Sequence, residues 1–319
     1  MSAISVHRDL DRLPPSARAI AVAIGNFDGV HLGHGCVLEE ARRRARDLGT
    51  EVGVLSFHPH PRTLVGPAKA PRRLTRTRDK IRLLAKQEVR HLYLLRFNDK
   101  LRQTTAEGFV ERVLRDQLAL RHVIVGEDFR FGHKRAGDVA LLRALGPSHG
   151  FGVSALPPRT VQGQVCSSTR IRELLGEGDV ETAEQFLGRS YQFDGLVVPG
   201  DRLGRELGYP TANLRPLGGP IQMPAPGIYA VRARPPSGSW LDGAASYGWR
   251  PTVGGADLRF EVYLFDFDGD LYGQTLRVAL IKHLRPEKTF DGIEALKAQM
   301  ARDCEQARET LGAREPERG

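Results

Sequence analysis

Short apolar runs separated by stretches of helical periodicity mark the first half of the chain. Residues 19–24, 52–57, 92–95, 122–125 and 152–156 read as buried strands. Between them, residues 35–46, 106–118 and 139–145 carry apolar positions at helical spacing. Alternating strand and helix predicts an α/β, doubly wound Rossmann-like sheet, with ligands at the carboxyl ends of its strands. After about residue 187 the rhythm changes: residues 191–198, 227–233, 244–247, 259–265 and 275–281 read as strands separated by Gly- and Pro-rich turns. Many short strands with little helix predict a closed antiparallel β-barrel. An amphipathic helix over about residues 293–311 follows, and the polar tail, 313–319, is expected to fray. The expected domains are 1–187 and 188–319.

Composition narrows the class. A chain of 319 residues with 40% hydrophobic and 27% charged residues is long enough for two soluble domains with sizeable cores. It contains no apolar run of membrane-spanning length, and residues 1–12 lack the apolar segment of a secretory signal. Cys36, Cys166 and Cys304 are odd in number and widely spaced, which suits a reducing cytoplasm and argues against a disulfide framework or a zinc site. The net charge of +9 fits nucleic-acid binding or the handling of polyanions such as ATP. The arginines are spread along the chain without interleaved aromatics, which favours ATP over nucleic acid. A cytoplasmic monomer or weak homo-oligomer without membrane or nucleic-acid partners is expected.

The chemistry concentrates in Gly25-Asn26-Phe27-Asp28-Gly29-Val30-His31-Leu32-Gly33-His34. This segment joins a strand to a helix start, where backbone amides and the helix dipole favour phosphate. His31 and His34, three apart, face one side and can donate hydrogen bonds to charge developing on phosphorus during nucleotidyl transfer. The plainer possibility is a pair of surface histidines, with Asp28 as the N-cap. A second cluster, Ser167-Ser168-Thr169-Arg170-Ile171-Arg172, opens another helical pattern. It reads either as simple capping or as a pyrophosphate clamp of hydroxyls, amides and the Arg172 guanidinium. Val125–Gly132 follows a strand and places Phe129 and Phe131 on one face, as core or as a platform for a flat aromatic ligand. His58-Pro59-His60-Pro61 forms a proline-framed loop, read as a rigid binding wall rather than a metal site.

Taken in order, these segments resemble the bacterial bifunctional riboflavin kinase/FAD synthetase family. The resemblance extends through Arg73-Leu74-Thr75 and resumes at Gly204-Arg205-Glu206-Leu207-Gly208-Tyr209-Pro210-Thr211-Ala212-Asn213. It continues with Arg250-Pro251-Thr252-Val253, residues 260–270 and Arg285-Pro286-Glu287-Lys288, covering nearly the whole chain. It implies an N-terminal nucleotidyltransferase turning FMN and ATP into FAD and pyrophosphate, and a C-terminal kinase turning riboflavin and ATP into FMN and ADP. By resemblance, Gly25, Asn26, Phe27, His31, His34, Ser167, Ser168, Thr169 and Arg172 contact ATP. His58, Pro59, Asp128 and Phe129 would line the flavin or nucleotide pocket, and Asp28 would support the loop.

In the second half, Thr211 and Asn213 lie two apart on an extended segment, so their oxygens point the same way. Neutral oxygens of this kind suit Mg²⁺, and the resemblance places the kinase magnesium there. It places kinase ATP along Gly204, Gly208, Pro210, Thr211 and Asn213, and kinase flavin near Arg285 and Phe290 in a mobile loop. Glu261 sits opposite the apolar face of an alternating strand, which by itself indicates a surface charge. The resemblance makes it the general base for the ribityl 5′-hydroxyl. Leu203, Ser246 and Gly35 depart from the family pattern without removing an implied catalytic group. The competing readings are a monofunctional enzyme with one degenerate module, another nucleotidyltransferase or class I aminoacyl-tRNA synthetase, and a flavin-binding regulator. Intact motifs in both halves speak against the first, and the lack of a lysine-rich second signature and a tRNA-binding domain against the synthetase. The regulator predicts tight flavin binding without ATP turnover and salt-sensitive nucleic-acid binding.

Overall fold

Residues 21–24 are all apolar and all buried, so this strand must be covered on both faces. The structure is a computed structural model that describes residues 4–66, 70–200, 204, 207–252 and 255–315. Its first unit holds six parallel strands: β1 (Ser5–His7), β2 (Ala21–Ile24), β3 (Val52–His58), β4 (His91–Arg96), β5 (His122–Gly126) and β6 (Gly152–Leu156). They are ordered β1-β4-β3-β2-β5-β6. The chain runs outward from β2 to one side and then to the other, so the carboxyl end of β2 is a switch point and a natural cleft.

Helices cover both faces. They are α1 (Leu32–Leu48), α2 (Pro61–Val65), α3 (Thr77–Lys86), α4 (Asp99–Arg102), α5 (Ala106–Phe109) and α6 (Val139–Leu145). On one face Ala21, Ala23, Val54 and Ile124 pack with Leu38, Ala41 and Ala45 of α1 and Leu84 of α3. On the other, Val22, Ile24, Val123 and Val125 pack with Phe109, Val110, Leu114 and Leu142. The expected helix over 106–118 is present, but α5 continues as a π-helical stretch over Val110–Gln117. That winding brings Val110, Val113 and Leu114 together into the core. A small hairpin, β7 (Thr160–Val161) and β8 (Gln164–Val165), ends this part of the chain.

The chain divides into units at Ser168/Thr169. The second contains α7 (Ser168–Glu177) from Thr169 onward, α8 (Val180–Leu187), six barrel strands and α9 (Ile293–Gly312). The strands are β9 (Tyr191–Val198), β10 (Thr211–Pro216), β11 (Gly227–Arg234), β12 (Leu241–Thr252), β13 (Gly255–Leu264) and β14 (Thr275–Arg285). They close in the order β10-β13-β12-β11-β14-β9. Phe193 and Phe260 meet edge to face at 4.9 Å inside, while α9 covers Ala230, Ala244, Ala279 and Ile281 outside with Ala307 and Leu311.

Two expectations need correction. Residues 313–315 do not fray: buried Arg232 donates to Leu311 O at 2.9 Å, to Arg314 O at 3.0 Å and to Glu315 O. Arg314 also reaches Glu184 at 2.7 Å. A guanidinium buried beneath the end of a helix satisfies its last carbonyls and ties down the residues beyond it. Residues 316–319 lie outside the described residues. Arg285, expected in a mobile loop, ends β14 and forks onto Asp303 of α9 at 2.8 and 2.6 Å. Asp303 is only 5% exposed, so the pair is a fixed tie.

Candidate active sites

The turn after β2 is strained and heavily braced. Phe27 (φ 48°), Gly29 (φ 88°) and Val30 (φ 42°) all occupy the left-handed region, unfavourable for Phe and worse for β-branched Val. Asp28, 4% exposed, accepts hydrogen bonds from Leu74 N at 3.1 Å, Thr75 N at 3.0 Å and Thr75 Oγ1 at 3.1 Å. Gly29 N donates back to Thr75 Oγ1 at 3.1 Å, and Ser168 Oγ donates to Asp28 O at 2.9 Å. Lys80 Nζ and Ser56 Oγ both donate to Asn26 O, at 2.6 and 3.1 Å. Asp28→Ala removes the acceptor of two buried amides, so it is expected to destabilise the first unit by about 3 kcal/mol. Chemical denaturation of the full chain checks this.

The N-cap of α1 is His31, not Asp28. Its Nδ1 accepts from His34 N at 3.3 Å, while His34 Nδ1 accepts from His31 N at 3.3 Å. This reciprocal box stacks the two rings with centroids 3.6 Å apart. A neutral imidazole that accepts at Nδ1 carries its proton on Nε2. The helix start therefore holds two histidines as donors beside its positive dipole end. Gly33 is required here, because a β-carbon would stand 2.8 Å from Cys166 O. At Gly35 a β-carbon would meet open space, so packing does not demand the glycine found there. Asn26 Oδ1 is buried without a hydrogen-bond partner, as an acceptor awaiting a donor would be.

The remaining implied residues of this half are spread around the strand ends. His58 and Pro59 are exposed at the end of β3, joined by a cis peptide bond. Partial burial lowers the His58 pKa, reinforced by the cations Arg73, Lys80 and Arg8. Phe129 and Phe131 stack at 5.6 Å, but Phe131 belongs to the core while Phe129 is half-buried and Asp128 exposed. Phe27 packs on His34 with ring centroids 5.0 Å apart. The structure thus gathers Asn26, Phe27, His31, His34 and Ser168 around one turn. Ser167 immediately precedes α7, and Thr169 and Arg172 fall in the second unit. Sequence reasoning missed the bracing by Ser56 and Lys80, which lie 30 and 54 residues from Asn26 and carry no local signal of the contact.

In the barrel, register builds a second polar cluster. Asn213 of β10 pairs with Glu261 of β13, which pairs on its other side with Ser246 of β12. Thr211 Oγ1 donates to Glu261 Oε2 at 3.3 Å, and Asn213 Oδ1 is buried without a partner. The glycine loop before β10 crowds these residues: a β-carbon at Gly200 would overlap the Asn213 amide. One at Gly204 would lie 2.5 Å from Tyr209 O and 3.1 Å from Thr211 Oγ1, while Gly208 needs φ 86°. Pro210 leads into the strand and is exposed. Leu203, Arg205 and Glu206 lie outside the described residues, as does Val253. Two hard neutral oxygens beside a carboxylate suit Mg²⁺ by donor chemistry, and the unpartnered Asn213 oxygen supports that fit. Gly248 leaves room for Glu287, which accepts from Trp249 N at 3.3 Å. Arg285 lies 5.8 Å from the Phe290 ring while forked onto Asp303, which orients both residues.

Comparisons with known proteins agree with this division. The FAD synthetase family model matches residues 13–170, and the riboflavin kinase family model matches residues 187–311. A bifunctional riboflavin kinase/FMN adenylyltransferase of Haemophilus influenzae is 40% identical, covering 90% of this chain and 93% of its own. The protein of that name from Escherichia coli strain K12 is also 40% identical, covering 92% and 94%. A solved structure from Streptococcus pneumoniae, named as a macrolide-efflux protein, matches with a TM-score of 0.85 and 30% identity over 96% of this chain and 99% of its own. That name belongs to that protein; among the described residues here, no helix is long and apolar enough to cross a membrane. Both halves match in order and across nearly their full length, so the chain belongs to the bifunctional riboflavin kinase/FMN adenylyltransferase family.

Proposed function

We propose that the barrel phosphorylates riboflavin at Thr211, Asn213 and Glu261, and that the His31–His34 turn then adenylylates the resulting FMN. Segments 1–187 and 188–319 are the corresponding functional halves. The observation that carries the adenylyltransferase site is the reciprocal His31–His34 cap, which engages both Nδ1 atoms and so leaves the proton of each neutral ring on Nε2 at the switch point. An FMN phosphate oxygen attacks the α-phosphorus of ATP, the α–β bridging bond breaks, and pyrophosphate leaves. The histidine donors and the α1 dipole stabilise charge building on the α-phosphate oxygens. Asn26, Ser167, Ser168, Thr169 and Arg172 bind and orient the nucleotide, with His58, Pro59, Asp128 and Phe129 on the flavin side.

In the kinase, Glu261 takes the proton of the ribityl 5′-hydroxyl as its oxygen attacks the γ-phosphorus, and ADP departs. Thr211, by donating to Glu261, holds that carboxylate in place. Magnesium held by Thr211 and Asn213 would, when bound, neutralise charge on the transferring phosphoryl group. Gly204, Gly208 and Pro210 shape the nucleotide loop, and Arg285 with Phe290 borders the flavin. The enzyme works in the cytoplasm as a monomer or weak homo-oligomer on small molecules, without nucleic-acid or membrane partners. Chromatography of the protein with riboflavin, ATP and Mg²⁺ tests the scheme. FMN appearing first and FAD after it is expected. FMN alone would disqualify the His31–His34 site, and unchanged riboflavin beside unadenylylated FMN would disqualify both sites.

A further inference from the structure

Lys80 is a buried cation that the chemistry above leaves unused. It is 9% exposed, on α3, with Nζ 2.6 Å from Asn26 O and 3.4 Å from Ser56 Oγ. Because Ser56 Oγ donates to the same carbonyl, it accepts from the ammonium, and the three groups close a small network. Burying an ammonium costs several kcal/mol, and an apolar side chain of similar length would fill the space more cheaply. A mere tie to one carbonyl needs no charge, since Ser56 already supplies one. The groups facing Lys80 are Asp28 on the turn, which favours its charge, and Arg73, which opposes it; His58 at the end of β3 feels the same cation. The nearby carboxylate is itself committed to the amides of Leu74 and Thr75.

We propose that Lys80 is a positioning residue for adenylyl transfer: its ammonium pins the Asn26 carbonyl, fixing the turn that presents His31 and His34, and sets a positive charge behind the bound polyphosphate. This rests on the assignment of that turn as the adenylyltransferase site. Charge behind a preorganised site acts without reorganising during the reaction and is worth more in a dry interior than at the surface.

Desolvation pushes the Lys80 pKa down to about 8. The protonated form is the working one, so it is present below that pH and lost as pH rises through it. The test is kcat/KM for ATP in FAD formation from FMN, measured from about pH 6.5 to about pH 10, because this ratio reports titration of the free enzyme. Riboflavin phosphorylation is followed in parallel tubes. The wild type is expected to lose about tenfold per pH unit above about pH 8 in adenylylation alone. Lys80→Met is expected about 10²-fold slower and flat across that range, and Lys80→Arg active with its alkaline fall moved upward. A wild-type profile that stays flat to about pH 10 overturns the inference without any variant, so misfolding cannot shelter it. So does a Lys80→Met enzyme that keeps the wild-type rate or the wild-type alkaline fall, or an alkaline fall shared equally by the kinase. His31→Asn separates the two readings. If it is inactive while Lys80→Met behaves as wild type, Lys80 alone is misassigned; if it is fully active, the turn is not the site and both fall.

Discussion

Replacing His31 with alanine lowers FMN adenylylation by about 10²–10³-fold and leaves riboflavin phosphorylation within about twofold. Two losses combine in this variant. The Nε2–H donor disappears, and His34 N loses the acceptor that it now finds at 3.3 Å. The second loss is an N-cap deletion, costing about 1 kcal/mol of stability, and it also frees the His34 ring from its stacked position. Asparagine separates the two effects, because it caps as well as any residue yet is too short to put a donor where the imidazole Nε2 stands. His31→Asn should therefore recover most of the stability and little of the rate. The measurement is steady-state FAD formation from supplied FMN and ATP, with denaturation curves on the same preparations. A His31→Ala enzyme with unchanged turnover would remove the imidazole from the mechanism.

Glu261→Gln should lower riboflavin phosphorylation by about 10²–10⁴-fold, the usual range for loss of a positioned acid–base group. Glutamine keeps an oxygen that can accept from Thr211 Oγ1, so the contact at 3.3 Å can survive while the basic carboxylate does not. The strand pairing of Asn213 and Ser246 with this position is a backbone property and remains. The effect should thus fall on kcat, with KM for riboflavin little changed. Adenylylation of supplied FMN, a reaction of the other half, should not move. An unchanged kcat would return Glu261 to the solvated charge that its strand position alone suggests.

The legible parts of the chain were those whose physics is local. Residues 21–24, 52–55 and 123–125 are apolar and buried on both faces, so burial shows in the pattern itself. The three-residue strand Ser5–His7 carries one apolar residue at a sheet edge and leaves no such trace. Thr211–Pro216 does alternate, Thr211, Asn213 and Arg215 against Ala212, Leu214 and Pro216, but Leu214 is its one large aliphatic residue and the one that is buried, so the strand carries little apolar signal. The histidine turn was readable because its groups are contiguous. Its braces were not: Thr75 lies 46 and 47 residues from the turn amide and carboxylate it contacts, and Lys80 lies 54 from its carbonyl. A lysine on an amphipathic helix ordinarily faces solvent, and only the fold shows that this one does not. Arg285 was misread for a similar reason, since its buried partner Asp303 belongs to a helix whose docking face the sequence does not reveal.

Ring closure of the six barrel strands has a consequence for how the protein misbehaves when stressed. Each barrel strand is paired on both sides, so among the described residues the kinase half offers no open row of amides and carbonyls to another molecule. The parallel sheet ends instead in Ser5–His7, too short to template much, and Gly152–Leu156, which is half-buried and paired only with β5 among the described residues. Strand-to-strand aggregation should accordingly nucleate at Gly152–Leu156, and a charged residue introduced on that outer edge is the natural place to suppress it.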